Sequence, residues 1–391
     1  MQSRDSHRVP VFFSAPAQGP RLGVLARGGI VSLALFGLVV LGLTMSKPMR
    51  LGKVSSYSGS GGPSPTRVSA ENPYADFDDA ADQEALPLAT GQRKVAKVLA
   101  TRLDRYQVVG IGEWHANRQD ADLWNEVVRH PAFLERASFI AVECAAALHQ
   151  FTLDRYIAGL DVPQDDLQRV WRDVSVPGNC DSPVYAEFLT TVRDVNRQLP
   201  TGKKIRVWAT DPIDWSQVKS KADWEAFMEQ KEAVAAALVG REIDAQQKGI
   251  LIYSAGNLWR HTLGVAMPAE QTVVARLDRS HPRRLFTVMR HHSAHRRGAR
   301  LETMLEGLQT PVILPLRDTV WGMLPANDVL SGQVAVKLFT ETMPVRSVTD
   351  AFIYSGPNAD TRVPSGAESK QDLPYQSELE RRRALMRKAA P

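Results

Sequence analysis

Glu113 and His115 stand two residues apart, directly after the apolar run 106–111. A carboxylate beside an imidazole raises the basicity of the ring and fixes one tautomer, which suits a general base that acts on water. Polar side chains also end or follow three later apolar runs of the same kind. In chain order they are Glu143, Asp211, Asn257 and His261.

These side chains support two kinds of chemistry. Oxygen and nitrogen ligands of this type bind a divalent metal such as Mn, Fe or Zn. The metal ligands would then be Glu113, His115, Glu143 and Asp211. The same groups can also act without a metal, with one carboxylate orienting His115 and another holding the substrate. The spacing alone leaves both alternatives open.

Short apolar runs alternate with longer helical patterns from residue 93 onward. The predicted strands cover 106–111, 138–143, 204–210, 249–255, 283–289, 311–316 and 350–356. Near-continuous apolar strands separated by helices indicate an α/β fold with a mostly parallel sheet flanked by helices. Ligands of such sheets bind outside the carboxyl ends of the strands. The polar residues at four strand ends therefore predict one shared polar pocket.

Five segments resemble, in order, the Tiki/TraB, ChaN and erythromycin-esterase-like superfamily. GIGEWHANRQDADLW resembles the first motif, in which a Gly-Glu-x-His-type turn follows the first strand, and AVECA resembles the segment with the second-strand glutamate. RVWATDPIDW is similar to a segment of uncharacterised bacterial ChaN-like members that contains Gly-Asp-Pro. GREIDAQQKGILIYSAGNLWRH and VTDAFIYSGP are similar to their later segments. The resemblance spans approximately residues 95–385.

The resemblance implies an α/β core with its site at the strand ends. Some branches of the superfamily are hydrolases, either esterases with a Glu/His pair or metal-dependent peptidases, and others resemble a haem-binding lipoprotein of iron uptake. The leading expectation is a hydrolase that cleaves an ester or amide bond in a small-molecule or peptide substrate. Glu113 and His115 would be its catalytic pair, and Glu143 and Asp211 would bind substrate or metal. The alternatives are a non-catalytic protein that binds haem, iron or another small ligand, and an envelope protein with a vestigial site.

Asn257 departs from the superfamily pattern, which usually has histidine at this position. Asparagine does not titrate, and it is a poorer metal ligand than histidine. His261 follows four residues later and would share a helical face with position 257, so it could take over the role of binding substrate or metal. Asn257 favours binding without turnover, whereas the intact pair of Glu113 and His115 favours an enzyme.

The chain has two cysteines, which excludes a disulfide-stapled scaffold and a cysteine-rich zinc or iron–sulfur site. Cys144 directly follows Glu143, and Cys180 lies in the loop sequence PGNCDSP. In an oxidising compartment the two cysteines could form a disulfide that ties this loop over the pocket. The alternative is two unpaired thiols.

The N-terminal part predicts a membrane anchor. Residues 28–46 carry no charge, and nineteen helical residues at ~1.5 Å each span about 28 Å, close to the thickness of a bilayer's hydrocarbon core. A cleaved signal peptide is the alternative, but no A-x-A-like site follows the run. We therefore expect a single-pass protein of the inner (cytoplasmic) membrane, whose main domain is periplasmic or extracellular.

Composition and charge complete the predicted organisation. The predicted segments are an N-terminal tail (1–27), a transmembrane anchor (28–46), a flexible Ser/Gly/Pro-rich linker (47–92), the α/β domain (93–357) and a C-terminal tail with a peripheral helix (358–391). The 391 residues include 48 Lys and Arg against 43 Asp and Glu, a formal net charge of +5. No nucleic-acid-binding motif accompanies this small excess, so we expect the membrane and a substrate as partners, and no nucleic acid.

Overall fold

The computed structural model describes residues 88–260, 271–291, 303–329, 342–356 and 362–387. The predicted anchor, the N-terminal tail and most of the predicted linker lie outside these residues, and so does His261. Among the described residues, no helix combines the length and the apolar character that crossing a bilayer requires.

Eight strands of the described part form one sheet. They are β1 Ala89–Thr90, β2 Val108–Glu113, β3 Phe139–Ala146, β4 Arg206–Asp211, β5 Gly249–Ser254, β6 Leu285–Arg290, β7 Val312–Pro315 and β8 Ala351–Tyr354. The α-helices of this part are α1 Gln92–Thr101, α2 Arg118–Arg129, α3 Pro131–Leu134, α4 Gln150–Ile157, α5 Gln164–Arg172, α6 Pro183–Gln198, α7 Lys221–Asp244, α8 Val273–Ser280, α9 Ala326–Val329, α10 Ala367–Gln371 and α11 Leu373–Arg387.

The strand order across the sheet is β1-β7-β8-β6-β2-β5-β3-β4. The six strands from β8 to β4 pair in parallel, while β7 runs antiparallel to both β8 and β1 at one edge. This confirms the predicted α/β fold with a mostly parallel sheet. All seven predicted strands are present, and their ends shift by up to three residues. The short strand β1 was not predicted, and it places the start of the folded part before residue 93.

Helices cover both faces of the sheet, which explains why β2 and β3 are buried along their whole length. Val109 and Ile111 of β2 belong to the core cluster that includes side chains of α1, α2 and α6. Val108 belongs to the opposite cluster, which includes side chains of α7 and α8. Gly249 opens β5 between β2 and β3, where a Cβ would lie 2.2 Å from the carbonyl oxygen of Phe139. Only glycine fits this close approach, and it allows the three strands that carry the site to pair.

The C-terminal helix α11 is attached to the domain by buried side chains and by hydrogen bonds. The buried guanidinium of Arg382 donates to the carbonyl oxygen of Arg172 and, at 2.7 Å, to Oδ1 of Asp173. Leu379 is buried, and Leu385 packs against a small cluster that contains Trp215 and Trp224. The helix therefore braces the segment that follows α5.

Candidate active site

Glu113 ends β2, and His115 lies in the tight turn between β2 and α2. Ala116 in this turn has a φ of +62°, a left-handed conformation that allows the chain to reverse. Asn117 then caps α2, because its Oδ1 accepts hydrogen bonds from the backbone N–H groups of Gln119 and Asp120. Strand, turn and cap together fix the backbone that carries the Glu113 and His115 side chains.

His115 Nδ1 lies 3.1 Å from Glu113 Oε1. The Glu113 side chain is 1% exposed and the His115 side chain is 19% exposed, so the carboxylate is sealed and the ring reaches the surface. An ionised carboxylate can only accept a hydrogen bond, so Nδ1 carries the proton and donates a hydrogen bond to Glu113. His115 Nε2 forms no hydrogen bond to any residue in the described part, and its lone pair is available to a water or a substrate. This is the geometry of a general base and its orienting partner.

The pKa of His115 is raised above its ordinary value. Burial by itself would lower this pKa, but the charge of Glu113 and the hydrogen bond to it outweigh the burial, and Glu143 adds to their effect. The imidazolium is therefore stabilised once the ring has taken a proton, as a general base requires.

Tyr185 of α6 completes the support of Glu113. Its hydroxyl donates to Glu113 Oε2 at 3.1 Å and accepts the backbone N–H of Ala116 at 2.9 Å. Burial, followed by the charge of Glu113, raises the pKa of Tyr185 well above its ordinary value, so the hydroxyl stays protonated and remains a donor. This role could not be predicted from the sequence, because a tyrosine inside an amphipathic helix is most often a core residue.

Glu143 forms a buried ion pair with Lys231, whose Nζ lies 2.5 Å from Glu143 Oε1. Glu143 Oε2 accepts the backbone N–H of Ser254 at 2.5 Å. Burial alone would raise the pKa of Glu143, but the Lys231 ammonium and His115 hold it at about 2. Sequence reasoning missed Lys231 in α7. Its spacing from the buried residues Ala235 and Leu238 is the helical periodicity that could have revealed it.

Asp211 uses both of its oxygens to hold neighbouring loops. Its Oδ2 accepts from Ser175, at 2.9 Å from the backbone N–H and 2.6 Å from the hydroxyl, and its Oδ1 accepts from the backbone N–H of Ile213 at 3.1 Å. Burial raises the pKa of Asp211, and the Lys231 ammonium and these hydrogen bonds partly counter the rise. Asp211 thus positions the segment after α5 and the turn after β4.

Asn257 is linked to the ion pair through Ser254. Its Nδ2 donates to the Ser254 hydroxyl at 3.0 Å, and the backbone N–H of Ser254 donates to Glu143. The amide therefore supports the end of β5 beside Glu143. The predicted substitute at this position, His261, is not among the described residues.

A divalent metal does not fit the carboxylate side of this site as it is arranged. Ligand atoms of Glu113, His115 and Glu143 lie within 4.8 Å of one another, but Asp211 is not in this group. Both Glu143 oxygens already accept protein hydrogens, and the Lys231 ammonium places a positive charge beside them. A metal there would have to displace or repel Lys231. The metal and haem sites that the sequence predicts stay predictions.

Cys144 and Cys180 form a disulfide, the first of the two alternatives raised by the sequence, with Cα atoms 5.4 Å apart. Cys144 lies on β3 next to Glu143, and its Sγ is 3.6 Å from His115 Nδ1. The disulfide attaches the loop between α5 and α6 to the strand end beside Glu113 and His115.

Comparison with protein-family models and with curated proteins finds no match. Among solved structures, the chain is similar to a succinoglycan biosynthesis protein, with a TM-score of 0.52, 12% identity, and coverage of 70% of this chain and 94% of that one. It is also similar to a Bacillus cereus protein (TM-score 0.48, 11% identity, 70% and 95% covered). An erythromycin esterase mutant in its open conformation has a TM-score of 0.46 at 11% identity, with 68% and 95% covered. The similarity to the succinoglycan biosynthesis protein shows the α/β fold alone.

Proposed function

We propose that this chain is a hydrolase of an ester or amide bond, in which His115 is the general base and Glu113 is its orienting partner. The observation that carries this proposal is the contact of 3.1 Å between His115 Nδ1 and a sealed carboxylate, which leaves Nε2 free at the carboxyl edge of a parallel sheet.

The reaction needs three steps from these residues. His115 Nε2 takes a proton from a water, and the resulting hydroxide attacks the carbonyl carbon of the substrate. The imidazolium is stabilised by the carboxylate of Glu113, which the Tyr185 hydroxyl holds in place. The imidazolium then returns its proton to the leaving oxygen or nitrogen as the tetrahedral intermediate breaks down. Glu143 and Lys231 keep the edge of the site ordered and supply a fixed dipole beside it.

Asn257 favours a second candidate, a non-catalytic binding protein with the same fold. Asn257 donates to Ser254 and does not titrate, so a second proton-transfer group is missing at that position. In this alternative the polar edge of the sheet at Glu113, His115 and Asn257 binds a small ligand without turnover.

Two features support an extracytoplasmic, membrane-anchored location as part of the proposal. Residues 28–46 form an uncharged run of sufficient length for a membrane span. The disulfide between Cys144 and Cys180 is typical of oxidising compartments.

The test is a screen of the full-length oxidised protein against chromogenic esters and anilides, with His115→Ala and Glu113→Gln as variants. His281→Ala is the matched control, because His281 ends α8 and pairs with Asp244, outside the site. We expect turnover by the wild type and the control, and its loss in His115→Ala. Turnover in His115→Ala equal to that of the wild type would overturn the assignment of the base. A wild type that binds panel members without turnover would favour the binding protein.

A further inference from the structure

The geometry points to a zinc site in the reduced form of the chain, in which His115, Cys144 and Cys180 bind one zinc ion. Ligand atoms of these three residues lie within 4.8 Å of one another. The inference does not depend on the chain being a hydrolase, because it concerns the binding of zinc after the disulfide has been reduced.

The distances match the coordination of zinc. Zinc binds thiolate sulfur at ~2.3 Å and imidazole nitrogen at ~2.0–2.1 Å, so a tetrahedral ion separates the two ligand atoms by about 3.6 Å. His115 Nδ1 and Cys144 Sγ are 3.6 Å apart. Two thiolates on a tetrahedral zinc ion are about 3.8 Å apart, so after reduction the sulfurs of Cys144 and Cys180 have to separate by about 1.7 Å from their distance in a disulfide.

Contacts other than the disulfide hold both cysteines in place. Cys144 belongs to β3, which pairs with strands on both sides. Cys180 is followed by Asp181, which accepts a short hydrogen bond from the Ser369 hydroxyl, and by Ser182, whose hydroxyl donates to the carbonyl oxygen of Val363 at 2.9 Å. These bonds remain when the disulfide is opened, so the two thiols stay close together.

Reduction is what creates the ligands. A dithiol reductant gives two electrons and two protons to the disulfide, which becomes two thiols, and the reductant becomes a disulfide. Zinc then binds the two sulfurs as thiolates, and their protons pass to solvent. In the oxidised form the two sulfurs are bonded to each other and are not thiolates, so neither is available as a zinc ligand.

Zinc binding and general-base chemistry exclude each other at His115. A zinc ion on Nδ1 replaces the proton of this nitrogen, so its hydrogen bond to Glu113 is lost and the neutral ring carries its proton on Nε2. The free base is lost, and Glu113 Oε1, which is 3.9 Å from Cys144 Sγ, is left beside the ion. A water or Glu113 Oε1 fills the fourth position of this three-ligand site. The redox state of one disulfide therefore decides which of two chemistries His115 can perform.

The experiment is a titration of the full-length chain with Zn²⁺ and with Co²⁺, before and after reduction by dithiothreitol and removal of the reductant. We expect one ion for each reduced chain, a thiolate-to-cobalt charge-transfer absorption, and no ion in the oxidised chain. Cys144→Ser and Cys180→Ser should each abolish the absorption. His115→Ala should weaken zinc binding by at least about tenfold. Removal of a residue that only hydrogen-bonds to a metal ligand already costs about that much, and His115 is itself a ligand.

A second measurement needs no variant and covers the case in which a cysteine variant does not fold. Zinc should slow the alkylation of both thiols in the reduced wild type, while near-ultraviolet circular dichroism confirms that the chain is folded. The inference is overturned if the reduced chain retains no zinc, or if zinc leaves the alkylation rate unchanged. It is also overturned if the oxidised chain binds zinc equally well, or if binding is unaffected in His115→Ala.

Discussion

The ammonium of Lys231 lies 2.5 Å from the carboxylate of Glu143, and both side chains are almost fully buried. Lys231 reaches this position from α7, on one face of the sheet, while Glu143 lies on β3. The pair places an internal cation at the carboxyl edge of the sheet. The charge balance of the site is therefore supplied by the chain itself.

Lys231→Met should destabilise the protein by about 3–5 kcal/mol, because it leaves the Glu143 carboxylate buried without its partner. Urea denaturation of the oxidised protein measures this change. Lys221→Met is a matched control in the same helix. Lys221 pairs with Glu225 at 3.2 Å near the surface, so its loss should cost less than about 1 kcal/mol.

The double variant Lys231→Met, Glu143→Gln separates a pairing effect from a packing effect. It should recover a large part of the lost stability, because no buried charge is left alone. A double variant as unstable as Lys231→Met would mean that Lys231 acts through the packing of its stem.

The activity proposed for His115 should rise with pH, because only the neutral ring can take a proton from water. The half-maximum of kcat/KM should lie above the ordinary pKa of histidine, as the raised pKa requires. Glu113→Gln removes the attraction to the imidazolium and should shift this half-maximum to lower pH. A pH–rate profile that is identical in the two proteins would contradict the coupling between Glu113 and His115.

The strands and their polar ends could be predicted from the sequence because parallel strands buried on both faces are apolar almost throughout. Glu113, His115 and Glu143 stand out against that background, and the structure brings all three together. Asp211 stands out equally, but both of its oxygens hold loops instead. A polar residue at a strand end shows that a partner exists, without showing which one.

Lys231 and Tyr185 could not be assigned in the same way. Both lie within helices far from Glu113 and Glu143 along the chain, and only the packing of α6 and α7 against the sheet brings them to these carboxylates. Helical periodicity can indicate that Lys231 is buried, but it does not identify the carboxylate with which a distant side chain pairs. The two-residue strand β1 was missed for a different reason, since Ala89–Thr90 is too short to show any periodicity.

Glu232 should make the protein less stable as the pH rises from about 4.5 to about 8. Burial raises its pKa from 4.5 to about 8, so the folded state holds a proton that the unfolded state releases across this interval. The contribution of Glu232 to the free energy of unfolding is fully present below its pKa in the unfolded state, and it is lost as the pH rises through its pKa in the folded state. Glu232→Gln should flatten that part of the stability profile measured by urea denaturation. A slope that persists in the variant would assign the effect to another group.

Tyr185→Phe should lower kcat/KM by more than the loss of folded protein accounts for. It removes the hydroxyl that donates to Glu113 and accepts from Ala116, at a cost of about 1–3 kcal/mol for the buried groups left unpaired. Glu113 then holds His115 less rigidly, so kcat/KM should fall even where the protein is fully folded. Tyr156→Phe is the matched control, because it removes a 2.9 Å hydrogen bond to Thr190 outside the site. Equal losses of kcat/KM in the two variants would show that Tyr185 has no part in positioning the base.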